Sequence, residues 1–163
     1  MTAHPHILVV DDEAGIRESQ AAVERLVARE RDRGIGPARI VLAGFSQGGA
    51  IALQAGLRHA DRLGGIVALS TYLALEDSLD AEASAANRST PIFMAHGTDD
   101  PVVPLALADA SASALRRRGY EVEWHTWPMP HAVCAEEIQA LADFLARIYG
   151  DGASPARSSI LLP

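Results

Sequence analysis

Gly44-Phe45-Ser46-Gln47-Gly48 sets one hydroxyl between two glycines, after an apolar run and before a small-residue helical segment. G-x-S-x-G at a strand-to-helix corner lets a serine project clear of its backbone as a nucleophile. Glycine at 44 and 48 removes side chains that would collide in so sharp a turn. The helix behind Ser46 aims free N–H groups, that of Gln47 included, at any oxyanion formed there. The plainer alternative is an ordinary turn with Ser46 as N-cap. A second segment, His96-Gly97-Thr98-Asp99-Asp100-Pro101, follows another apolar run. A carboxylate there can orient a histidine and stabilise its imidazolium. Asp99 and Asp100 compete for that role; Pro101 restricts the backbone of Asp100 to an extended conformation and favours it. Either aspartate could instead cap the next helix. The third segment is Trp127-Pro128-Met129-Pro130-His131. His131, in a loop before the last helix, could take the serine proton and return it to a leaving group. The other histidines fit less well. His4 and His6 lie near the terminus, His59 ends a helix, His125 sits within a strand, and His96 reads as a structural hydrogen-bonder in a strand end.

These corners need elements to hold them. Residues 6–10, 39–43, 65–69 and 91–95 are short apolar runs of the kind found in buried parallel strands. Residues 121–127 alternate and predict a strand near a sheet edge. Helical patterns cover 12–33, 47–58, 104–118 and 132–149. Their expected apolar faces carry Ile16, Val23, Leu26 and Val27 in the first, Leu107, Ser111 and Leu115 in the third, and Ile138, Leu141, Leu145 and Ile148 in the last. Residues 70–90, irregular, polar and alanine-rich, predict a loop with one short helical turn. Residues 1–150 make one compact domain, and 151–163 a mobile tail in which Ile160-Leu161-Leu162 could dock. Strands alternating with helices imply a mostly parallel α/β sheet of about five strands, with chemistry at the strands' carboxyl ends.

The chain order Ser, Asp, His at successive strand ends is that of α/β hydrolases. The segments IVLAGFSQGGAIAL, GGIVALSTYL, PIFMAHGTDDPVVP and VEWHTWPMPHAV resemble the acyl-protein thioesterase and phospholipase/carboxylesterase family over about residues 12–150. The resemblance implies a serine carboxylesterase for short-chain acyl esters or thioesters, with Ser46, Asp100 and His131 as triad and the Gln47 N–H in the oxyanion hole. Phe45, Leu73, Val102, Trp127 and Met129, near strand ends, are the candidate substrate contacts. Family members are typically longer at the front, with extra strands and an L-H-G-x-G-type turn that supplies a second oxyanion donor. The expected fold is therefore a truncated α/β-hydrolase-like sheet. Loss of one donor commonly costs about 10² to 10³ in turnover. If residues 6–10 lay beside Ile40–Ala43, the N–H groups of Asp11 and Asp12 could replace it, although their carboxylates would repel an oxyanion. The alternative function is a catalytically weak or inactive remnant serving as a binding or assembly module.

Composition bounds the rest. The 163 residues are 48% hydrophobic and 21% charged, as in an ordinary globular domain. A formal net charge of −7 argues against nucleic acid or an anionic membrane surface as partner. No apolar run reaches the roughly 18 residues of a membrane span. A single cysteine, Cys134, and no secretory signal lead to a cytoplasmic expectation. No His/carboxylate cluster has metal-ligand spacing, so neither metal nor cofactor is expected. Simple right-handed winding places the first three helices on one sheet face and only the last on the other. That incompletely covered face predicts a homo-oligomer.

Overall fold

The structure is a computed structural model that describes residues 13–150 and a strand at 159–161. Its elements run α1 (Glu13–Asp32), β1 (Ile40–Phe45), α2 (Gln47–Arg58), β2 (Gly65–Leu69), α3 (Glu76–Glu82), β3 (Ile92–Gly97), α4 (Leu105–Arg117), β4 (Val122–Trp127), α5 (Ala135–Tyr149) and β5 (Ser159–Leu161). The five strands form one parallel sheet in the order β4-β3-β2-β1-β5.

Every residue of β2 and β3 is buried, as is β1 up to Gly44, which is why these segments read as unbroken apolar runs. Alternation along the strands divides them between two cores. Ile40, Leu42, Ile66, Ala68, Ile92 and Met94 face the side covered by α1, α2 and α4. Val41, Ala43, Val67, Leu69, Phe93 and Ala95 face α5. The distribution of helices expected from right-handed winding is thus observed. β4 lies at an edge, also as expected. Gly34, at φ +88°, ends α1 in the left-handed region where glycine is favoured.

Four differences from the sequence reading have physical causes. First, β1 has β2 on one side and β5 on the other, with Ile40 opposite Ser159 and Leu42 opposite Leu161. The place beside Ile40–Ala43 suggested for residues 6–10 is therefore taken by a segment expected in the tail; residues 6–10, with Asp11 and Asp12, lie outside the described residues. Second, the expected loop at 70–90 contains α3 and a 3-10 turn at Ala85–Asn87. Long-range polar contacts hold this segment. Arg58 donates to Glu82 at 2.6 Å, and the buried Asn87 side chain accepts from Leu63 N–H and donates to the His59 carbonyl.

Third, α4 buries Ser111 and Leu115 as expected but not Leu107. Leu107 is exposed, while Ala108, Ser111, Ala112 and Leu115 are buried. Alanines let the helix approach the sheet closely, so the buried stripe is set by small side chains rather than by the largest one. Fourth, α5 buries Glu137 and Phe144 and leaves Ile138 54% exposed.

Glu137 is 0% exposed, and neither carboxylate oxygen has a hydrogen-bond partner. Burial pushes its carboxyl up to about 7. An ordinary glutamate titrates near 4.3, so the unfolded chain ionises first as pH rises. The stability associated with the protonated buried form is complete below about pH 4 and is lost as pH climbs through 7. Glu137→Gln is expected to match the parent near pH 4 and to exceed it by on the order of 3–4 kcal/mol at pH 8. Urea unfolding at the two pH values checks this; a difference independent of pH counts against it.

Candidate active site

The corner after β1 is built by close approach of backbone to backbone. A Cβ on Gly44 would lie 2.1 Å from the Gly48 carbonyl carbon, and one on Gly49 would lie 2.7 Å from Thr71 Cγ2. Only glycine lets the strand turn so directly into α2. Ser46 sits at φ 56°, ψ −122°, a backbone region in which non-glycine residues are strained by about 1–3 kcal/mol. Its own N–H donates to the Leu69 carbonyl at 2.8 Å, and its carbonyl accepts from Gly49 N–H at 3.0 Å. The side chain makes no cap bond to α2. It is free to point elsewhere.

It points at His131. Ser46 Oγ is 2.9 Å from His131 Nε2, and His131 Nδ1 is 2.6 Å from Asp100 Oδ2. Against an ionised carboxylate the Nδ1–H must donate, which leaves Nε2 to accept the serine O–H. Asp100 is buried, and its other oxygen accepts the Val102 and Val103 N–H groups at 2.8 and 2.9 Å. Burial pushes the Asp100 carboxyl up, but the hydrogen bonds from His131, Val103 and Val102 outweigh it together. The carboxyl is held below the ordinary aspartate value. Asp100 thus caps the local turn and orients the imidazole at once. Asp99 is exposed and accepts the Thr98 hydroxyl at 3.2 Å.

The loop carrying His131 is laid against the end of β3. Thr98 N–H donates to the Trp127 carbonyl at 2.8 Å and Asp99 N–H to that of Met129 at 3.2 Å. Gly97 makes this possible, since a Cβ there would lie 2.2 Å from Met129 O and 2.5 Å from Pro130 O. The Phe45 ring tilts against the imidazole of His131, with centroids 4.7 Å apart.

Of the remaining candidates, Gln47 opens α2, where its N–H has no intrahelical carbonyl to meet. Phe45 and Val102 are exposed at the rim, 37% and 36%. Val133, two residues past His131, is also exposed and was not anticipated. Leu73 and Met129 are buried, Leu73 in the main core, so they serve packing more than contact. Trp127 is half-buried and stacks on His125 at 5.3 Å, against the α5 side. Two grooves reach the residues next to Ser46 in the chain. One, of about 280 Å³, is lined by Gly44, Phe45, Leu69 and Leu141; the other, of about 400 Å³, by Gln47, Gly48, Val23 and Ile51. No group of three metal-ligating side chains occurs among the described residues, and no described helix is long and apolar enough to cross a membrane.

A serine, a histidine and an aspartate aligned at the carboxyl ends of three parallel strands match a known family in order and context. The phospholipase/carboxylesterase family model covers residues 1–149. The chain belongs to this family. It is 44% identical over 140 residues to acyl-protein thioesterase 1 of Gibberella zeae, an alignment spanning 84% of this chain and 60% of that protein. For acyl-protein thioesterase 1 of Neurospora crassa the figures are 46% over 138 residues, 83% and 56%. The chain therefore spans less than two thirds of these relatives' lengths. Among solved structures, Arabidopsis thaliana SOBER1 superposes with a TM-score of 0.81 at 27% identity, covering 85% of this chain and 67% of that one. Zea mays acyl-protein thioesterase 2 superposes with a TM-score of 0.73 at 27% identity, covering 91% and 71%. The α/β-hydrolase-like fold expected from the motifs is shared with these solved structures.

Gly97→Ala tests how the histidine of this phospholipase/carboxylesterase fold is placed. The added methyl must push the 129–130 backbone away from β3, and displacement of a reacting group by about 1 Å commonly costs about 10² in rate. The expected outcome is a folded protein in which the bond from His131 Nδ1–H to Asp100 is weakened. Circular dichroism and the far-downfield proton resonance of that N–H measure both, and a parent-like resonance would show that the close approach is dispensable.

Proposed function

We propose that this chain is a serine hydrolase of acyl esters and thioesters. The observation that carries the reading is the continuous hydrogen-bonded line from Ser46 Oγ through His131 to the buried Asp100. The strained backbone at Ser46 and the unpaired helix start at Gln47 support it.

In the proposed reaction His131 Nε2 takes the serine proton as Ser46 Oγ attacks the acyl carbon. The developing oxyanion meets the Gln47 N–H at the positive end of α2. Asp100 stabilises the imidazolium without taking its proton. Collapse of the tetrahedral adduct expels the alcohol or thiol, which receives the proton from His131. A water then delivers its proton to His131 as its oxygen attacks the acyl-enzyme, and the acid leaves with Ser46 restored.

The relatives' name, acyl-protein thioesterase, supports thioesters on acylated proteins as a substrate class beside small esters. Phe45, Val102 and Val133 offer an apolar rim to short acyl groups. The single cysteine, Cys134, fits a cytoplasmic setting. The apolar groove beside β1 supports self-association, and a monomeric mass by light scattering at micromolar concentration would remove that part of the reading.

A fluorophosphonate probe is expected to add one adduct, on Ser46, and p-nitrophenyl butyrate to be turned over. Ser46→Ala and His131→Ala should each lower kcat by at least about 10³-fold with the fold intact. Mass spectrometry and steady-state kinetics make the measurement. A parent protein that neither labels nor turns over would favour a non-catalytic binding module.

A further inference from the structure

His96 is the second imidazole at the Asp100 carboxylate. It is fully buried near the end of β3, with the Trp124 ring 6.3 Å away. Its Nε2 lies 2.9 Å from the Val103 carbonyl oxygen and 3.4 Å from Asp100 Oδ2. Its Nδ1 has no hydrogen-bond partner.

A carbonyl oxygen only accepts, so Nε2 carries a proton and its N–H is directed at Val103, close to Asp100 Oδ2. Val103 is held from both sides: its N–H donates to Asp100 Oδ1 at 2.9 Å, and its carbonyl accepts from His96.

We propose that His96 is a positioning residue that clamps the Asp100–Val103 turn and keeps Asp100 Oδ2 facing His131. The catalytic consequence rests on the hydrolase reading above; the geometric one does not. Without the clamp the carboxylate gains freedom to rotate about Cβ–Cγ, and the bond to His131 Nδ1 loosens. The effect reaches the reacting atoms only through Asp100 and His131.

His96→Leu fills the space without a donor, and His96→Gln places an amide N–H where it can reach Val103. Two readouts are needed. The far-downfield proton resonance of His131 Nδ1–H reports its bond to Asp100 in the resting protein, with no need for turnover. Steady-state kinetics on p-nitrophenyl butyrate report kcat and KM separately. His96→Leu is expected to move that resonance upfield or broaden it and to lower kcat about tenfold or more, with KM within about twofold. His96→Gln is expected to keep the resonance and most of kcat. If the leucine variant does not fold, His96→Asn, whose amide is too short to reach Val103, takes its place with the same expectation. An unchanged resonance and kcat in the donor-less variant, or equal impairment in Gln and Leu, overturns the proposal. A parent that shows the resonance but no turnover overturns the hydrolase reading and leaves the clamp to be judged on the resonance.

Discussion

One carboxylate holds the site together. Asp100 is buried and receives two backbone N–H groups on one oxygen and an imidazole N–H on the other, with a second imidazole nearby. A buried charge costs several kcal/mol unless such donors replace water. Asp100 meets that condition only if the turn at 100–103, the loop at 127–131 and the end of β3 are all in place. The same interactions that make the ionised form tolerable also fix the direction of the imidazole. Local folding and site geometry are therefore one constraint here.

The second constraint is distance. Parallel strands bring their carboxyl ends to one edge, but side chains on β1, β3 and β4 would not meet if the corners were bulky. Gly44 lets α2 start directly behind Ser46, and Gly97 lets the backbone before His131 lie on β3. Ser46, like Ser70 and Leu75, sits at positive φ, and its backbone is held by bonds to Leu69 and Gly49. Such strain persists because the surroundings over-determine it.

Glu137 stands apart from this economy. It lies six residues past His131, closed to solvent and without a hydrogen-bond partner, in a stripe whose other members are apolar. Helix periodicity read on side-chain size put Ile138 on the buried face. Leu141, Leu145 and Ile148 of that stripe do pack on the core; Ile138 alone gives way to Glu137, two turns before Phe144, whose ring lies 5.4 Å from that of Phe93.

From the chain alone, the α/β class, most strand and helix positions and the placing of Ser46, Asp100 and His131 at strand ends were legible. Those features depend on short-range pattern: apolar period, corner glycines, and the order of residue types after strands. The pairing of β1 with β5, the length of α3 within 70–90, the exposure of Leu107 and Ile138, and the burial of Leu73 and Met129 were not. Each depends on groups distant in the chain, such as Ser159–Leu161 against Ile40–Leu42 or Arg58 against Glu82. That His96 shares the carboxylate with His131 likewise emerged only in three dimensions. Sequence determines which side chains stand at the strand ends. Tertiary packing alone decides which of them face one another, because a hydrogen bond depends on tenths of an ångström that no local pattern encodes.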